Sequence, residues 1–136
     1  MRQILVHAKR LGYAAAVLVT LAMPGFAQEK ITFSNIDTVL REHPLPPGPT
    51  ADIVASQHVD ASELQIVVAR KIDLHTHDDT DHRVYVARGT GVFHFAGQAR
   101  QVKAGDIVTI PKGIVHGFEV QEGSEPLVLL VVETPS

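Results

Sequence analysis

The 136-residue sequence contains no cysteine and no tryptophan. Without cysteine there can be no disulfide, and no thiolate is on hand for a soft metal. Any ion this chain binds must therefore sit on nitrogen and oxygen. Aromatic residues make up 5% of the chain, and beyond residue 27 the one tyrosine is Tyr85. Sugar-binding sites lean on flat aromatic platforms, and this chain can supply few. No stripe of lysine and arginine marks a nucleic-acid or anionic-membrane surface. No Ser-His-Asp or Cys-His constellation for nucleophilic catalysis is visible, and there is no internal repeat.

Long apolar runs are also missing. Leu11 to Met23 is uncharged for 13 residues, whereas a membrane-spanning helix needs roughly 20. Arg2, Lys9 and Arg10 precede it, Pro24-Gly25 breaks it, and Gly25-Phe26-Ala27 puts small residues at both cleavage-determining positions. That is the layout of a secretory signal peptide. Residues 1–27 are expected to be removed after Ala27, placing the mature chain in a periplasm or outside the cell with no further membrane contact. The remainder carries nine basic and fifteen acidic residues, a formal charge of −6.

Residues 28–50 are expected to form an N-terminal strand (Ile31 to Leu40) followed by an extended arm. His43-Pro44-Leu45-Pro46-Pro47-Gly48-Pro49 can be neither helix nor central strand. Residues 51–136 form the main domain. Short β-branched runs alternate with turn signals there: Ile53–Val59, Leu64–Ile72, Val84–Ala87, Val92–Phe95, Ala99–Val102, Ile107–Ile110, Val115–Val120 and Leu127–Glu133. No helical period is evident beyond the leader. About eight short strands at this spacing predict an all-β sandwich or barrel, and closure into a barrel would leave no strand edges to protect. Leu64, Ile66, Val68 and Ile72 keep a period of two, interrupted by Arg70, which predicts one strand with these residues inward.

Seven of the eight histidines lie beyond residue 27. His75 and His77 are two apart, so on a strand they share a face about 7 Å apart, close enough to converge on one ion at about 2.1 Å each. His82 heads the next strand on the inward face of Val84 and Val86. Pro111-Lys-Gly113-Ile-Val-His116 reads as a tight turn delivering a fourth imidazole. His94 lies between Phe93 and Phe95, which places the aromatics inward and the histidine outward.

These segments resemble the two motifs of the cupin superfamily, small antiparallel jelly-roll-like β-barrels that usually carry a metal. The second motif, G-x5-P-x-G-x2-H-x3-N, reads here Gly105-x5-Pro111-x-Gly113-x2-His116, with Val120 where the family has asparagine. The first, G-x5-H-x-H-x3–4-E-x6-G, reads His75-x-His77-x4-His82-x6-Gly89, with Ala69 in place of the first glycine and His82 in place of the glutamate ligand. The resemblance implies one divalent transition metal (iron, zinc, nickel, copper or manganese) held by His75, His77, His82 and His116. Alternatively Asp81 turns inward in place of His82; strand parity favours His82, since Asp81 shares the face of Tyr85. Asp81 is otherwise a partner of the ligands, and Arg70 either anchors a substrate carboxylate or lies outward at a strand end.

The expected cavity wall is apolar: Val68, Val84, Val86, Phe93, Phe95, Val108 and Phe118, with Val115 packing outside. Few acid–base groups remain, and neutral imidazoles would leave the ion's charge undiminished. The functions implied are a metal-dependent enzyme acting on a small anionic or oxygenated molecule (dioxygenase-like, or a Lewis-acid isomerase or lyase), or a non-catalytic metal- or ligand-binding module. A cavity serving catalysis is expected to open near the acidic loop Asp78 to Asp81. A homodimer is expected too, with Ile31 to Leu40 as the segment exchanged or laid across the partner.

Overall fold

A computed structural model describes residues 31–136, so the leader and its cleavage site lie outside the described residues. The described residues form one short helix and nine strands: α1 (Ile36–Glu42), β1 (Ala51–Val59), β2 (Ser62–Ala69), β3 (Lys71–His75), β4 (Thr80–Arg88), β5 (Thr90–Phe95), β6 (Gln98–Lys103), β7 (Ile107–Ile110), β8 (His116–Glu119) and β9 (Leu127–Pro135). All strand pairs are antiparallel. They build a five-stranded sheet, β1-β2-β9-β4-β7, and a four-stranded sheet, β3-β8-β5-β6. Val67, Val84, Val86 and Leu129 from the first sheet and Phe93, Val102 and Phe118 from the second form one buried cluster between them. The result is the expected all-β, barrel-like fold. Its two sheets keep separate hydrogen-bond ladders, however, so β1, β7, β3 and β6 remain edges rather than being closed away.

Three expectations need correction. The run Leu64–Ile72 is two strands, because the chain crosses from one sheet to the other at Arg70. The Arg70 amide donates to the Thr50 carbonyl at 2.8 Å, and its guanidinium donates to the Pro46 carbonyl at 2.7 Å. The residue that breaks the alternation is thus the one that holds the proline arm against the corner.

The second correction concerns parity. Residues 65–69 of β2 are all buried, because both faces of the strand are covered. Val67 faces the other sheet, whereas Ile66 and Val68 pack outward with Val54 and Val128. Val68 is therefore not a cavity wall.

The third is the segment covering that outer face. Where a strand was expected, Ile36, Val39 and Leu40 of α1, with Leu45 of the arm, lie over Ile66 and Val68. Asn35 caps the helix by accepting the Thr38 amide at 3.2 Å, and Asp37 in the first turn pairs with Arg88 of β4. Burying Ile66 and Val68 this way contributes about 1.5–3 kcal/mol each. Within the chain, the segment thus packs on its own sheet as a helix and not as a strand. Among the described residues no helix is long and apolar enough to cross a membrane.

Gly117, next to His116, lies on β8 against the backbone of β3. A Cβ there would lie 2.6 Å from the Ile72 carbonyl oxygen, a backbone atom that cannot swing aside. Gly117→Ala should cost about 1–3 kcal/mol by overpacking, read as a lower denaturation midpoint in urea; an unchanged midpoint would show that β3 and β8 are free to separate.

Candidate metal centre

Two cross-strand pairs face each other across one end of the barrel. On the four-stranded sheet His75 of β3 is the register partner of His116 of β8. On the five-stranded sheet His82 of β4 is the register partner of Glu133 of β9. His77 lies in the β3–β4 connection between them. The ring centroids are 4.0 Å apart for His77 and His82, 4.4 Å for His75 and His116, and 4.8 Å for His75 and His77. His116 lies 5.6 Å from His77 and 5.9 Å from His82. His82 and His116 are buried.

The turn Pro111–Gly113 holds this arrangement. Gly113 has φ +77° and donates its amide to the His77 carbonyl at 2.7 Å, a conformation that suits glycine. The neighbouring Lys112 amide donates to Asp81 Oδ1 at 2.9 Å. Asp81 therefore points to the turn rather than to the histidines. Arg70 likewise faces the proline arm, and neither side chain lines the cavity. His94 meets Glu119 at 2.9 Å on the outer surface, and Val115 is exposed.

The hydrogen bonds leave free nitrogens pointing inward. His75 Nδ1 donates to the Asp73 carbonyl and His116 Nδ1 to the Ile114 carbonyl, each at 2.8 Å. In that tautomer each Nε2 carries a lone pair, the usual way a ligand histidine is oriented. His77 Nε2 is buried with no hydrogen-bond partner. An unsatisfied buried polar atom costs about 1–3 kcal/mol, and ligation of a cation would return it. Potential donor atoms of His75, His77 and His116 lie within 4.8 Å of one another, as do those of His77, His82 and Glu133. The two groups share His77, and the donor set of imidazoles with one carboxylate suits a divalent transition metal.

Glu133 was missed in the sequence, although the alternation Leu129, Val131, Glu133 points it inward with the other two. Gln65 was missed as well; it is buried and lines the same cavity. The cavity has a volume of about 230 Å³. Val84 and Phe118 line it as expected, joined by Val67, Ile72, Ile110 and Leu129, while Val86, Phe93, Phe95 and Val108 belong to the core beyond it. Its exposed rim is Ala51, Asp52 and Ile53 of β1, not the acidic loop.

A two-sheet antiparallel barrel with inward histidines on facing strands defines a small jelly roll with a candidate metal site as the structural class. The family model for the cupin domain matches residues 53–133, and the chain belongs to that family. It is 42% identical over 62 residues to an acireductone dioxygenase of Frankia alni, a match covering 43% of this chain and 29% of that protein. The chain spans half or less of the curated relatives it matches. Among solved structures it is similar to an uncharacterized conserved protein with a double-stranded β-helix domain from Klebsiella pneumoniae (TM-score 0.62, 24% identity, 78% of this chain and 91% of that one). It is also similar to a predicted oxalate decarboxylase from Thermotoga maritima (TM-score 0.50, 28% identity, 54% and 65%).

Burial, followed by the neighbouring rings of His77, His116 and His75, pushes His82 down to about 4; Asp81 pulls weakly the other way. Burial also lowers His116, against the opposing hydrogen bond to Ile114. Both shifts are downward, so between about pH 4 and 6.5 the unfolded chain binds more protons than the folded one. The stability tied to neutral His82 is complete above about 6.5 and is lost as pH falls toward 4. Metal-free protein should therefore lose on the order of 2–3 kcal/mol from this group across that window. Denaturant titrations at several pH values read the loss, and His82→Gln should flatten the slope. An equally steep slope in that variant would assign the acid sensitivity to other groups.

Proposed function

We propose that the mature chain is an exported metal-dependent enzyme that acts on a small anionic or oxygenated organic molecule. One divalent transition metal is held by His75, His77, His116 and His82. The observation that carries this reading is the buried, unpartnered Nε2 of His77, set among three other imidazoles of which two are fixed by backbone carbonyls. The resemblance to proteins called acireductone dioxygenase and predicted oxalate decarboxylase supports a metal-dependent reaction of that general kind. A bound divalent ion would supply Lewis-acid polarisation or, if redox-active, a site for oxygen chemistry.

The rest of the work falls to the protein. Val84, Ile110, Phe118 and Leu129 exclude water and lower the local dielectric, which strengthens charge interactions inside. A cavity of about 230 Å³ lies below the range of about 300–1,000 Å³ typical of sites for drug-sized ligands. That size suits a small molecule better than a drug-sized one. Among the described residues no lysine or arginine lines the cavity, so an anionic substrate is drawn by the ion itself and not by a side-chain cation. Substrate enters past the exposed start of β1.

Elemental analysis of natively isolated protein should find about one ion per chain. His77→Ala or His116→Ala should lose most of it, and full retention would exclude this ligand set. Azide should change the visible spectrum of an iron, cobalt or copper form, because a catalytic ion keeps a position open. Tightly held zinc in native protein and no response to azide in the substituted forms would instead support a non-catalytic metal-binding module.

Export is part of the same reading. Protein recovered from the periplasm or medium should begin at Gln28 by mass analysis; an intact Met1 there would overturn cleavage after Ala27.

A further inference from the structure

We infer that Glu133 of β9 is a direct ligand of the ion and supplies the carboxylate of the centre from the strand beside His82. The inference rests on the proposed metal site and adds a fifth side chain to it. Three observations carry it. His82 and Glu133 are register partners on β4 and β9, so their side chains leave the sheet on the same face, with Cβ atoms about 4.5–5.5 Å apart. His82 Nε2 and Glu133 Oε1 are 3.2 Å apart. Two donors each about 2.1 Å from one ion and 90–110° apart about it lie roughly 3.0–3.4 Å from each other, so the pair is already at the separation of neighbouring ligands. Finally, a ring nitrogen of His77 lies within 4.8 Å of potential donor atoms of both His82 and Glu133, and His77 Nε2 is buried and unpartnered.

Ordinary partnership with His82 does not account for the whole arrangement. Thr80 Oγ1 also approaches His82 Nε2, at 3.3 Å, and its hydroxyl can donate to that nitrogen or accept from it. Nothing in that scheme satisfies His77 Nε2. A cation between His77, His82 and Glu133 satisfies all three at once.

The consequence is electrostatic. Four imidazoles alone would leave a divalent ion with its full charge in an apolar cavity, and one carboxylate halves the formal charge of the centre. Glu133 therefore sets how tightly anions bind: the wild-type centre should hold them less firmly than a four-imidazole centre would.

The test loads chelator-treated mature protein with cobalt(II) and follows metal affinity, the visible spectrum and azide binding in wild type, Glu133→Gln and Glu133→Asp. With Glu133 as ligand, Glu133→Gln should weaken cobalt binding at least about tenfold and shift the visible bands. It should also bind azide more tightly per bound cobalt, and Glu133→Asp should recover part of the wild-type affinity. Weaker cobalt binding with unchanged bands would show that Glu133 acts only through His82 and would overturn direct ligation. Equal affinity and identical bands would overturn it as well while leaving the imidazole site intact. Wild-type protein that binds no cobalt would bring down the metal site itself, and this inference with it. Circular dichroism of the variants separates loss of a ligand from loss of the fold.

Discussion

A slip of one residue in either of two strand pairings, β3 against β8 or β4 against β9, would turn half of the candidate centre to the outside, because successive side chains on a strand point to opposite faces. The register His75↔His116 gives the four-stranded sheet its imidazole pair, and His82↔Glu133 gives the five-stranded sheet its mixed pair. Several contacts fix that register. The Pro111–Gly113 turn donates two backbone amides, one to His77 and one to Asp81, and so ties the β3–β4 connection to the β7–β8 connection. Gly117 lets β8 approach β3 more closely than any side chain would permit. At the far end of β9 the Ser136 amide donates to the Asp79 carbonyl at 3.0 Å. Asp79 and Asp81, which from sequence read as an acidic mouth, are thus fastenings of the loop that carries His77.

The local chemistry of the chain was legible where it depends on near neighbours. β-Branched runs and glycine turns located the strands, and spacing with the proline–glycine turn picked out the four histidines that the fold brings together. Parity placed His82 inward with Val84 and Asp81 outward with Tyr85. What stayed hidden depends on which strands become neighbours. β2 is apolar at successive positions because α1 and the arm cover one face while the other sheet covers the second, and alternation cannot describe a strand buried twice. Glu133 lies 51 positions from His82 in sequence, and nothing local marks it as that histidine's partner. The short helix did leave a signal. Asn35 followed by Ile36, Val39 and Leu40 is a cap and one apolar turn, but seven residues beside a proline-rich arm give too little periodicity to stand out.

Where this chain departs from the motif of its family, the fold offers a compensation. A histidine stands at the position of the motif's glutamate, and a glutamate stands directly across the ladder from it. Moving a carboxylate sideways by one strand keeps its charge near the centre while changing the direction from which it approaches. With a bound ion, the side left open to a small molecule would change accordingly.

The metal-free centre is costly to keep assembled. Four imidazoles share a space in which burial and mutual proximity hold His82 and His116 away from protonation, and one ring nitrogen has no partner at all. Those costs are carried by the apolar cluster between the sheets and by the backbone contacts of the 111–113 turn. A bound cation reverses their sign, since each lone pair that was a burden becomes a ligand, and binding to the folded chain alone adds its free energy to stability. Binding of a metal would therefore be coupled to rigidity of the β3–β4 and β7–β8 connections through the same few atoms: the amide of Gly113, the carbonyl of His77 and the ring that His77 carries. Loosening that turn would weaken the hold on such an ion, and without one the turn holds together groups that do not attract one another.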